Sequence, residues 1–99
     1  MNTDTLEQTK LSDAIVNANE VEVDSIWAIL KYKEIGIFRK VACICNLLDL
    51  PFDSVIKELP QDENGRLLDY KTRHTIHDAL IKSFERKLCE TSSGLNEMY

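Results

Sequence analysis

The chain has 99 residues, 43% of them apolar, and a formal net charge of −5 at neutral pH. That composition excludes the weakly hydrophobic, highly charged class that stays disordered, and the length suits one domain. Its longest apolar-rich stretch, Ile37 to Leu48, is broken by Arg39, Lys40 and Asn46, which excludes a bilayer span of about 20 apolar residues.

Three glycines and two prolines are few breakers, and they favour helices over a turn-rich sheet. A first helix is expected within residues 4 to 18, burying Leu6, Leu11, Ala14, Ile15 and Ala18. Ser12 offers an alternative start, with Asp13 in the first turn. Val21-Glu22-Val23 alternates like a strand but is too short to stand as one. A second helix is expected after a cap at Asp24 or Ser25, with Ile26, Ile29, Leu30 and Lys33 on one stripe beside Trp27. Gly36 is its natural stop.

From Ile37 to Asp49 apolar residues spread round the whole helical circumference, Phe38, Val41, Ala42, Ile44, Cys45, Leu47 and Leu48 among them. Such a helix is expected at the centre of the core, covered on several sides. Pro51 interrupts it, and Asp53 can cap a short helix carrying Val55, Ile56 and Leu59. Asn64-Gly65 marks a turn with positive φ. The flank Lys57-Glu58-Leu59-Pro60 does not alternate, so no hairpin is expected there. The last helix is expected over 69–90, with Ile76, Leu80, Phe84 and Leu88 as its buried stripe and Tyr70 and Ile81 alongside. These elements predict an all-α fold. The expectation is a compact single-domain bundle of four to five helices, spanning residues 1–99, with 37–49 as the central buried helix and 1–5 and 91–99 frayed.

Sites for chemistry are sparse. Three cysteines without regular spacing predict packing thiols rather than a disulfide framework or a zinc site. His74 and His77, three apart on one helix, make at most half of a metal site, so no metal and no cofactor is expected. No Gly-x-Ser-x-Gly elbow or glycine-rich loop occurs. The chain therefore reads as a binding protein and not as an enzyme.

Charge is informative by position. Residues 1–30 hold six acids against Lys10 alone, a net of −5, while residues 31–99 hold eleven acids and eleven bases. The candidate partner-binding residues are Asp13, Glu20, Glu22 and Asp24, which can steer a basic protein surface. The N-terminus MNTDTLEQTK has neither the basic start nor the apolar run of a secretory signal, which predicts a cytoplasmic protein that does not enter the membrane.

Residues 41–59, VACICNLLDLPFDSVIKEL, resemble a helix-turn-helix unit. Cys45 stands as the small residue of the first helix, Leu48-Asp49-Leu50 as the turn and Val55 as the packing residue of the second. Asp49 replaces the usual turn glycine, and Glu58 stands where an apolar residue is expected. The resemblance implies a DNA-binding transcriptional regulator; on charge, Arg39, Lys40 and Lys57 are the residues expected on phosphate in that case. The favoured expectation is a small acidic protein-binding factor of the inhibitor, immunity or anti-activator type, which acts stoichiometrically by occluding a basic partner surface. Homodimerisation is compatible with either.

Overall fold

A computed structural model of the chain describes residues 9–98, with side-chain environments for 9–89. Five α-helices follow one another among these residues: α1 Lys10–Val16, α2 Glu20–Lys31, α3 Ile37–Leu48, α4 Phe52–Glu58 and α5 Asp69–Met98. The fold is all-α, as the sparse breakers and helical periodicities predict. Leu6 and residues 1–5 lie outside the described residues.

Local chemistry sets the helix starts, and three of them differ from expectation. Thr9, not Ser12, caps α1, its Oγ1 accepting the Ser12 N–H at 3.1 Å. Asn19 caps α2 in a reciprocal box: Asn19 Oδ1 accepts the Glu22 N–H at 2.8 Å, and Glu22 Oε1 accepts the Asn19 N–H at 3.0 Å. This Asn-x-x-Glu pair satisfies two orphan donors at once. It starts the helix before Asp24 and Ser25, so Val21-Glu22-Val23 is helical and not a strand. Helix α2 then stops at Lys31, and Gly36 in extended backbone serves instead as the N-cap of α3. Pro51, rather than Asp53, holds the N-cap position of α4.

Helix α1 is held at both ends by distant side chains. Its Lys10 N–H donates to Glu58 Oε1 at 2.8 Å, and its Val16 carbonyl accepts from Arg86 Nε at 3.3 Å. Both bonds satisfy terminal backbone groups that a helix cannot pair internally. Asp49 joins α3 to α4 in the left-handed conformation, φ 59° and ψ 48°, and the Leu50 N–H returns to the Cys45 carbonyl at 2.8 Å. Aspartate tolerates this conformation better than most residues.

Between α4 and α5 the chain turns at Gly65 (φ 80°), where Asp62 Oδ1 accepts the N–H groups of Asn64 and Arg66. Gln61 and Leu67 form one isolated antiparallel bridge, and no strand forms among the described residues.

The core draws on all five helices, with Leu11, Ile15, Ile26, Val41, Ile44, Val55, Ile76 and Leu80 fully buried. Helix α3 is not buried all round as expected: Ile37, Val41, Ile44 and Cys45 face inward, while Phe38 and Leu47 reach solvent. Phe38 instead lays its ring edge-on to Phe52 of α4, centroids 5.2 Å apart.

The largest correction concerns α5. Its buried residues are Thr72, Ile76, Ala79, Leu80 and Ser83, whereas Phe84 is 62% and Leu88 53% exposed. Tyr70 and Ile81 are exposed too. A run of four-residue steps drifts round a helix by about 40° per step. The expected stripe from Ile76 to Leu88 therefore leaves the buried face, while the observed 72-76-79-83 sequence alternates four and three and stays on it. The helix also runs on to Met98, past the end expected at residue 90.

Candidate partner-binding surface

Two openings flank α5. The larger is an open groove of about 750 Å³ between α1 and α5, with Asp13, Val16, Tyr70, His74, Asp78 and Lys82 among its walls. Several of its polar groups already hold one another. Thr9 and Ser12 hydroxyls lie 3.0 Å apart, Asp78 pairs with Lys82 at 3.3 Å, and Glu58 is spent on the end of α1. The smaller, about 270 Å³, lies between α2 and α5 and is lined by Glu20, Val23, Asp24, Trp27, Phe84 and Lys87, with Ser83 behind them.

The structure separates the acidic residues singled out from the sequence. Asp13 is on the wall of the larger groove; Glu20 and Asp24 border the smaller cleft. Glu22 holds the cap of α2 and is half-buried. Asp13, Glu20 and Asp24 are exposed. The two ion pairs found among the described residues, Arg73–Asp69 and Lys82–Asp78, both lie within α5. The acids of α1 and α2 take part in neither.

Of the three basic residues expected on phosphate, Arg39 and Lys57 are exposed but Lys40 is not. It is 1% exposed, and its ammonium donates to the Leu30 carbonyl at 2.6 Å. The apolar stem of a lysine packs readily against apolar neighbours when its head finds an acceptor, which a reading by residue type misses. On α4 the exposed charges are Asp53, Lys57 and Glu58, so this helix offers little to a phosphate backbone.

Cys45 alone of the three cysteines is a packing thiol, and burial pushes its pKa up; Cys43 and Cys89 are exposed. Both histidines are exposed. His77 sets its ring edge against Trp27 at a centroid distance of 5.3 Å, and His74 lies near Tyr70. Among the described residues no three of His, Cys, Asp and Glu converge as metal ligands. No helix among them is long and apolar enough to cross a membrane. What the sequence reading missed is the solvent face of α5. The signal was present in the alternating spacing of Tyr70, His74, His77, Ile81, Phe84 and Leu88.

The chain matches no family model, and neither curated proteins nor solved structures give a match. Any functional reading therefore rests on the surface itself.

Proposed function

We propose that this protein is a cytoplasmic, non-catalytic binding factor of the inhibitor, immunity or anti-activator type, which occludes a basic surface of another protein. The observation that supports this is the state of the acids in the first two helices. Asp13, Glu20 and Asp24 are exposed and belong to neither ion pair of the described residues. The field of exposed carboxylates of this kind accelerates encounter with a basic surface and favours it over other surfaces. The cleft beside Glu20 and Asp24 adds Trp27 and Phe84, aromatic residues of the type that anchor protein interfaces.

The test uses a variant with Asp13→Asn, Glu20→Gln and Asp24→Asn. Glu22 stays, because changing it would disturb the cap of α2. Wild-type protein should capture a basic partner from its host at low salt and release it as the Debye length falls from about 10 Å at 0.1 M towards about 3 Å at 1 M. The variant should lose that capture while keeping its helix content. Equal capture by both proteins at every salt concentration would reduce the acids to a solubilising face.

A DNA-binding regulator is the weaker alternative. Lys40 is occupied inside the fold, which leaves Arg39 and Lys57 as the cations of that reading. Failure of the wild type to retard duplex DNA at low salt would remove it.

A further inference from the structure

Helix α5 carries two faces; the bundle buries one and meets the other only along its edges, through His77 on Trp27 and Phe84 in the cleft with α2. Thr72, Ile76, Ala79, Leu80 and Ser83 face the core. Beyond Ser83 no described residue of α5 is buried, yet the helix continues to Met98. Thirty residues of helix span about 45 Å, whereas α1 to α4 have 7 to 12 residues each.

On the far side Tyr70, His74, His77, Ile81, Phe84 and Leu88 form an exposed stripe whose spacing alternates four and three. That is the 3.5-residue period of a coiled-coil seam. Ile81 and Leu88 fall on a positions, with His77 and Phe84 on d. A lone amphipathic surface helix needs one apolar stripe; this one has a second, largely aromatic and aliphatic, exposed between the groove with α1 and the cleft with α2.

The charges flanking the stripe indicate what covers it. Arg73 and Lys87 occupy g positions, and Asp78 and Glu85 occupy e positions. When two copies pair in parallel and in register, each g residue faces the e residue of the next heptad. Arg73 then faces Asp78 of the second copy, twice by symmetry. Both residues already hold a partner one turn away in their own helix, Arg73 on Asp69 and Asp78 on Lys82, so the contact across the seam extends two existing ion pairs. An antiparallel pair centred on the stripe sets Lys71 against Glu85, which attract, but also Arg73 against Lys87 and Asp78 against Asp78, which repel. Histidines at one a and one d position cost stability but fix register, as polar residues in such seams do.

We infer that α5 is a dimerisation helix: two copies of this chain pair in parallel through Tyr70, His74, His77, Ile81, Phe84 and Leu88. The seam shares Phe84 with the cleft proposed above, but the acids of that surface, Asp13, Glu20 and Asp24, lie outside it. The aspartate variants of Ile81 and Leu88 and the amide variants of the acids therefore test the two readings separately.

The first test is the mass of the full chain in solution at tens of micromolar. The expected value is twice 11.4 kDa, falling to one chain in the Ile81→Asp/Leu88→Asp double variant with helix content retained. Both positions are exposed in the single chain, so the variant keeps its own core. The second test is Leu88→Cys in a Cys43→Ser/Cys89→Ser background. Mild oxidation should link two chains, since parallel pairing sets the two copies of position 88 at one level. Antiparallel pairing would separate them by roughly 27 Å. A monomeric wild type would overturn the inference and give the seam to a different protein. A dimer that survives the aspartates would overturn it as well, and a dimer without the cross-link would overturn the parallel register.

Discussion

Lys40, in the first turn of α3, sends its ammonium to the carbonyl of Leu30 in the last turn of α2, at 2.6 Å. The carbonyls of a last turn have no partner within their own helix, and they carry the negative end of its dipole. A cation placed there satisfies one of them and ties two consecutive helices together. The cost is a charge taken out of water, and it registers as a lysine pKa pushed down. The causes, in order, are burial and the neighbouring charge of Arg73, opposed in part by Asp69.

That shift fixes a pH dependence. Between the lowered folded value and the ordinary lysine value, the unfolded chain binds more protons than the folded one. Stability contributed by this group therefore rises with pH across that window. Lys40→Met keeps most of the stem and removes the titration, so the rise should vanish. Denaturant unfolding of both proteins over an alkaline series measures the difference. Cys45, whose pKa is pushed up by burial, contributes the opposite slope in both and cancels. Parallel curves for wild type and variant would mean that the amine is solvated.

The two faces of α5 should separate cleanly in stability. Ile76 is fully buried, and Ile76→Ala should cost about 2–5 kcal/mol through lost contacts and a residual cavity. Phe84 is largely exposed within the single chain, so Phe84→Ala should change stability by no more than about 0.5 kcal/mol. Both are read from denaturant midpoints in dilute solution, where copies of the chain do not contribute to folding. A large loss for Phe84→Ala under those conditions would return Phe84 to the core.

Thiol chemistry offers an independent check on α3. Cys43 and Cys89 are exposed and Cys45 is buried, and only accessible thiolate reacts. Two thiols per chain should label rapidly in native buffer, and the third only on unfolding. Three equal rates would place Cys45 at the surface and break the inward face of α3.

Much of the fold was legible from residue order. Few breakers, the apolar run at 37–48 and the Asn-Gly turn suffice to predict a helical bundle. Two of its sharpest boundaries, at α3 and at the start of α5, fall as expected. Asn19 and Glu22 were also readable as a capping pair, but the apparent alternation of Val21 and Val23 masked them. The candidate surface was less legible. The excess of acids is visible in the sequence, yet Asp13, Glu20, Glu22 and Asp24 are divided by the fold into a groove wall, a cleft border and a cap.

The sequence by itself determined helix content, the main helix positions and the charge asymmetry, because these follow from local propensity and from counting. Tertiary structure decided which side of α5 faces inward. A helix with apolar residues on two arcs presents both equally to a reader of its periodicity, and only the placement of α1, α2 and α3 selects Ile76 and Ala79 over Ile81 and Phe84. Lys40 was decided in the same way. A lysine is ordinarily assigned to solvent by its charge, and only the unpaired Leu30 carbonyl, brought within reach by the packing of α2 on α3, gives that charge a place inside.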